Sequence, residues 1–268
     1  MVIVAVAGGT GGVGKTIVKQ LELSEGHTVF VLSRTIPGNQ PSGTARFIKV
    51  DYSDTALLAR CLEENKVEAV ISTINLQNEA ASNAQLNLME AAEASVTKRR
   101  FIPSEFAFAN SPDGTEAEPT VGLAIKSVEA LRRSSLEFTR FANGFFMDYW
   151  GIPHVQNVAK FVVRTLESPD KWPEISILSG SDVTFNQLLA IAENIRALEK
   201  NEAALMQVRY GGGGGASEDE AKQMVSLFGR MTTSGGFRLP TENRINDKFL
   251  GLRPTTAEEL LTMAWAGK

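Results

Sequence analysis

Apolar and polar positions alternate in two rhythms along the first hundred residues. Short apolar runs at 2–7 ("VIVAVA"), 27–32 ("HTVFVL"), 45–50 ("ARFIKV"), 67–74 ("VEAVISTI") and 98–102 read as β-strands. The first run is closed by glycines and has the pattern of a strand buried on both faces. Helical spacing fills the gaps. Val13, Ile17, Val18 and Leu21 share one face of a helix over 13–23. A second helix covers 54–64 with Asp54 as N-cap, and an alanine- and leucine-rich third covers 78–95. Such alternation predicts an α/β fold built on a doubly wound parallel sheet. A helix over 121–133, a sixth strand over 136–141 ("LEFTRF") and a helix over 155–166 extend the pattern. After Pro169 it loosens into a strand at "EISIL" and helices over 184–200, 218–228 and 255–264. The five glycines Gly211 to Gly215 read as a flexible connection.

Bulk chemistry narrows the partners. A net charge of −4 and 22% charged residues over 268 positions give no electrostatic footprint for nucleic acid. The "KRR" at 98–100 reads as a strand entry, not a nucleic-acid patch. One cysteine, Cys61, excludes an intrachain disulfide and a multi-cysteine zinc site, and reads as an apolar helix residue in a reducing compartment. No apolar run reaches the ~18 residues of a membrane span. The apolar start lacks a basic n-region, so it reads as a strand and not as a signal peptide, with the cytoplasm as the expected location.

The candidate chemistry begins at "VAVAGGTGGVGKT", residues 4–16. From Gly9 this is G-x-x-x-x-G-K-T, a P-loop, with Lys15 on phosphates and Thr16 on Mg²⁺. From Gly8 it is G-x-x-G-x-x-G, a dinucleotide-binding turn. Both use glycines for close backbone approach and a helix N-terminus for anion binding. A P-loop also needs a strand ending in a metal-binding aspartate; Asp51 after "FIKV" is the best candidate, and "VEAVISTI" has none. The dinucleotide turn needs a second strand with a ribose-facing residue, and "HTVFVLSRT" supplies Ser33 and Arg34 where an NAD site would carry an acid. A cation there suits a 2′-phosphate, so the reading favours NADP(H). A ligand-free glycine turn is the bland alternative.

The segments "GGTGGVGKTIVKQL", "VLSRT", "VISTI", "KRRFIPSEFAF", "AIKSVEALRRSSLEFTRFANGFFMDYWGIPH" and "VTFNQLLAIAEN" together resemble NmrA-like, isoflavone-reductase-like proteins, with the fungal NmrA-like branch the nearest. These are atypical short-chain dehydrogenases/reductases. The resemblance implies a Rossmann-type dinucleotide-binding domain over 1–150 and a smaller α/β substrate lobe over 151–268, interleaved with the first. It implies Gly8, Gly11 and Gly14 as motif glycines, with Thr10, Gly12 and Val13 on the pyrophosphate. It implies Arg34 on the 2′-phosphate and Thr73 and Asn75 near the nicotinamide ribose. Pro103, Ser104, Glu105 and Phe106 would follow the cofactor, Lys126 would be the catalytic lysine, and 143–146, with Asn143 and Phe146, would lie near the nicotinamide.

The position four before Lys126 is Gly122, so the tyrosine of the classical Tyr-x-x-x-Lys pair is absent. A lysine beside a dinucleotide can hold ribose hydroxyls or, if desolvated, relay a proton to a phenol or enol. His154 is a candidate substrate-side acid, against a hydrogen-bonded structural role; His27 reads as structural. Glu105 faces substrate or pairs with a cation. Phe141, Phe145, Phe146, Tyr149 and Trp150 line a flat pocket or pack a core. The stretch after "DYWGIPH" is shorter than the family's, which would open the nicotinamide face. Three readings follow: a reductase of an aromatic or polyketide-like metabolite, a non-catalytic NADP(H)-sensing protein, and a redox-neutral isomerase or cyclase. The oligomeric state is not legible.

Overall fold

The computed structural model describes residues 1–36, 38, 43–94, 99–107, 119–144, 155–196 and 238–265. The expected helix over 218–228 and the glycine run lie outside them. Six strands, β1 (Ile3–Ala7), β2 (Thr28–Ser33), β3 (Arg46–Lys49), β4 (Ala69–Ser72), β5 (Arg100–Ile102) and β6 (Glu137–Phe138), form one parallel sheet in the order β3-β2-β1-β4-β5-β6. The chain winds outward from β1 to one edge, then crosses back to the other. The doubly wound Rossmann-type sheet expected from the alternating pattern is therefore present.

Period-two alternation within β1 feeds two cores. Val4 and Val6 join α1 (Gly12–Leu23) and α5 (Gln156–Glu167) through Ile17, Val18, Leu21, Phe161 and Val162. Ala5 and Ala7 face α2 (Thr55–Glu64), α3 (Glu79–Glu93) and α4 (Pro119–Arg133) through Leu58, Leu62, Leu88, Met89 and Leu131. Asp54 caps α2 by accepting from the Leu57 N–H at 2.9 Å, and Asn78 caps α3 by accepting from Ala81 at the same distance. Two reciprocal capping boxes start later helices. Thr184 and Gln187 open α6 (Phe185–Arg196), and Thr256 and Glu259 open α8 (Ala257–Trp265). Both are S/T-x-x-E/Q signatures.

The expected strand over 136–141 divides. Successive amides of an extended chain point to opposite edges. Thr139 donates to Phe101 O of β5 at 3.2 Å, while Arg140 donates to Glu174 O at 2.9 Å on the other side. The first half stays in the main sheet as β6. The second half, β7 (Arg140–Ala142), pairs with β8 (Ile175–Ile177) in a separate two-stranded sheet. The buried Thr139 and Ser176 hydroxyls bond each other at 2.8 Å across this branch.

Residue 150 does not separate two cores. Helix α5, beyond it, packs in the same cluster as β1 and α1; β7, before it, belongs to the small sheet. A short α7 (Ile245–Lys248), unanticipated, plugs Ile245 into that same cluster. The seam between the sheets carries a buried bidentate ion pair, Arg140 to Glu105 at 2.6 and 2.7 Å. Removing one member of such a pair strands the other charge in a low dielectric. Arg140→Met is expected to cost ~3–5 kcal/mol of stability by urea denaturation. The double variant Arg140→Met/Glu105→Gln should recover part of that loss; an equal or larger loss in the double variant refutes the stranded-charge account.

Candidate functional site

Several strands end together at the carboxyl edge of the main sheet, where open α/β folds bind ligands. Gly8 follows β1, Arg34 follows β2, Thr73 follows β4, and Pro103 to Phe106 follow β5. Asn143 follows β7 and is stitched to the β5 loop, because the N–H groups of Asn143 and Gly144 both donate to Ala107 O, at 3.0 and 2.7 Å.

The glycine loop falls into two groups by steric reason. Gly8 has φ +76°, and a Cβ there would lie 2.7 Å from the Thr73 carbonyl. A Cβ on Gly14 would collide with Gly8 O and Thr73 Oγ1, so the start of α1 can sit against β1 and β4 only without a side chain. Gly9, the first glycine of the P-loop string and no part of the dinucleotide motif, is also packing-limited, with Val18 and Val31 methyls 3.0 Å from an added Cβ. Gly12 differs: among the described residues no atom lies within 4 Å of its added Cβ, and at Gly11 the nearest is Gly8 O at an ordinary 3.5 Å. The chain itself gives no steric reason for glycine at either place. Glycine is at home at the N-cap, Gly11, but at Gly12 it costs up to ~1 kcal/mol against alanine through the freedom it gives the unfolded chain. Helix α1 has no side-chain cap at Gly11 and no acidic residue in its first turn. Its amides point, with the positive end of the helix dipole, at the space the missing side chains leave. Thr10, Gly11 and Gly12 are exposed, and Val13 is half-buried. The residues present fit a pyrophosphate.

The P-loop requirements are not met. Lys15 is exposed on α1, and the Thr16 hydroxyl donates to Gly12 O at 3.1 Å within the helix. Asp51 lies past β3, the edge strand, and accepts from Ser53 N and Oγ at 2.8 and 2.7 Å. Those bonds hold its carboxyl below the usual carboxylate range. The strands beside β1 are β2 and β4, and β4 ends in Ser72, with Thr73 next after it.

Arg34 is exposed at the end of β2, and among the described residues no carboxylate pairs with it. Behind it Tyr52 is buried and donates to Leu32 O at 2.9 Å, and burial pushes its phenol pKa up despite the Arg34 charge. Thr73 is partly buried and donates to Ala7 O at 2.7 Å; Asn75 is exposed. Phe106 and Phe141 are buried with ring centroids 6.1 Å apart, which favours core packing for both. The Glu105 carboxylate is committed to Arg140, so the cation-pairing alternative describes it and its side chain does not face the cofactor edge alone. Asn143 Oδ1 is buried and without a hydrogen-bond donor. Lys126 lies on α4 with Nζ on Glu79, 2.7 and 3.0 Å from the two oxygens, both side chains more than half exposed.

His27 is buried with Nε2 3.4 Å from Glu167, the structural role expected of it. His154, Phe145, Phe146, Tyr149 and Trp150 lie outside the described residues. Cys61 is half-buried on α2, and burial raises its thiol pKa. Sequence reading also missed Gln85, a polar residue in an alanine-rich helix that is fully buried behind the β5 loop. Among the described residues no helix is long and apolar enough to cross a membrane, and no group of three metal-ligating side chains occurs.

Residues 2–151 match the NmrA-like family. An oxidoreductase of Botryotinia fuckeliana, BOA1, is 33% identical over 229 residues, covering 73% of this chain and 76% of that protein. The oxidoreductase swnN of Metarhizium robertsii is 33% identical over 175 residues, 58% of this chain and 51% of that one. A solved structure described as AtPrR2 with NADP+ and (+)pinoresinol superposes with a TM-score of 0.76 at 18% identity, covering 98% of both chains. The likeness shows a shared fold, and NADP+ is named for that solved neighbour.

The steric contrast within the glycine loop gives a two-sided outcome. Gly12→Ala should raise the melting temperature, by up to ~1 kcal/mol of helix propensity, and weaken NADPH binding in the same protein. A variant that is more stable and binds NADPH as tightly removes the ligand explanation for Gly12.

Proposed function

The chain belongs to the NmrA-like family, and from that premise we propose that it is an NADP(H)-dependent oxidoreductase acting on an aromatic or polyketide-like small molecule. The observation that carries the reading is the uncapped first turn of α1, where among the described residues nothing lies within 4 Å of a side chain added at Gly12 and only Gly8 O, at 3.5 Å, near one added at Gly11. When bound, the dinucleotide supplies the hydride. The chain's part is to bind, orient and move a proton. The first-turn amides hold the pyrophosphate, and Arg34, unpaired among the described residues, takes the 2′-phosphate. Thr73 and Asn75 lie toward the ribose, and Asn143 toward the nicotinamide end.

Lys126 relays the proton to a substrate oxygen. Its pair with Glu79 is solvent-exposed, and exposed pairs hold by only ~0.2–1 kcal/mol. Nζ can therefore leave Glu79 at little cost when substrate and cofactor arrive. Gly122 stands where a classical tyrosine acid would, so no second relay group comes from that turn. His154 is the further candidate on the substrate side. The Glu79 contact also favours a second reading, in which Lys126 stays engaged and the protein senses NADP(H) without turnover.

Two substitutions test the assignments. Arg34→Ala should weaken NADPH binding roughly 10- to 100-fold, the worth of a charge-assisted hydrogen bond, and leave NADH within about twofold by calorimetry. Equal losses for both cofactors refute the 2′-phosphate role. Lys126→Ala should keep NADPH binding and lower substrate-dependent NADPH oxidation by about 10²–10⁴-fold. Tight NADPH binding with no turnover across a panel of phenolic and polyketide substrates selects the sensor reading. Product formation without net NADPH consumption selects the isomerase or cyclase.

A further inference from the structure

We infer that Gln85 is a positioning residue that locks the cofactor-side loop 103–107 and the Lys126 helix into a single register. The inference rests on the reading of that loop and of Lys126 given above. Gln85 lies on α3 with no exposed surface. A neutral amide in that position needs both ends satisfied. The Gln85 Oε1 accepts from the Ser104 N–H at 2.9 Å, and Nε2 donates to Ser127 Oγ at 2.9 Å. The Ser127 hydroxyl in turn donates to Leu123 O at 3.4 Å. The donors run in one direction from loop to helix, so each bond polarises the next.

The two ends of the relay are the two parts the proposed chemistry must hold at a fixed separation. Ser104 sits in the loop that follows β5 at the carboxyl edge. Ser127 is the neighbour of Lys126 on α4. Two residues of α3, six positions apart, make the contacts with Lys126 and Ser127 of α4. Glu79 holds Lys126 at the exposed end, and Gln85 holds Ser127 at the buried end. When Nζ leaves Glu79, the exposed handle is gone and the buried one remains. Lys126 then moves as a side chain on a helix whose height above the loop is set by Gln85. The loop's other anchors, Glu105 to Arg140 and Ala107 to 143–144, run toward β7. Among the described residues only Gln85 is hydrogen-bonded to both Ser104 and Ser127.

Gln85→Met keeps volume and removes both bonds; Ser127→Ala removes the helix arm alone. Amide hydrogen exchange of the full chain, without cofactor and with NADPH, reads both. In Gln85→Met, exchange should quicken at least tenfold in 103–107 and 119–133 together, with β1 and β2 as protected as in the parent. NADPH should bind several-fold more weakly. In Ser127→Ala only 119–133 should quicken, with NADPH binding within twofold. Unchanged exchange in both segments, or quickening spread evenly over the sheet, overturns the positioning role. If the parent chain binds no NADPH, the cofactor reading fails, and the exchange pattern still decides whether Gln85 couples loop and helix. Where turnover is measurable, kcat should fall in both variants with KM for NADPH unchanged in Ser127→Ala, and the double variant should lose no more kcat than Gln85→Met.

Discussion

Gly14 lies so close to the Gly8 carbonyl and the Thr73 hydroxyl that nothing larger than hydrogen fits between α1 and the edge of the sheet. That contact sets where the first helical turn stands relative to β1 and β4, and the site depends on it. Three bonds hold the neighbourhood: Gly11 N to Gly8 O at 3.0 Å, Thr73 N to Ala7 O at 2.8 Å and Thr73 Oγ1 to Ala7 O at 2.7 Å. Thr73 therefore has a structural duty before it has a cofactor-facing one. With the helix start pinned there, its uncapped amides face outward over the carboxyl edge. Arg34 arrives from one side on β2, and the β5 loop from the other.

The second organising event is the branch at Thr139. A strand whose consecutive amides choose different partners ties two sheets into one body without a linker. Helix α5 then returns to α1 and closes the core on that face. The Arg140–Glu105 pair sits at this branch and reaches the β5 loop, so the small sheet and the cofactor edge share a buried charge pair. Arg132 and Glu174, 2.7 Å apart, extend the chain of charges to α4 at the surface. The seam that joins the sheets thus also fixes one wall of the site.

Much of this was legible in the sequence. Strands buried on both faces are short, apolar and closed by polar turns, and helices between them show a different period, so the first hundred residues read correctly in order and type. Asp54 read as a cap because its side chain has a local partner three residues on. What failed to read was non-local. "LEFTRF" has one unbroken pattern, and its division depends on which neighbours, Phe101 and Glu174, accept from adjacent amides. Gln85 looks like a surface position because its partners are 19 and 42 residues away. Glu105 was open between substrate and cation because Arg140 meets it only after β7 has left the main sheet. Gly9 was hidden by the motif's own spacing, which counts Gly8, Gly11 and Gly14 and passes over a packing glycine beside them. The four-residue α7 is too short for any period to register.

The P-loop string is the sharpest case of a local pattern decided by its surroundings. A lysine, a threonine and an acid must converge on a metal-bound phosphate for that chemistry. Here Lys15 points away on an exposed face, Thr16 spends its hydroxyl on its own helix, and Asp51 is consumed by Ser53 at the far edge of the sheet. The strand that ought to carry the acid, β4, is followed by Thr73, whose hydroxyl is turned back to Ala7. What the loop has left to offer is a row of backbone amides at the positive end of a helix, with glycine where a ligand must come close. On the proposed reading, that edge receives the pyrophosphate of a dinucleotide whose 2′-phosphate reaches Arg34, across the switch between β1 and β4.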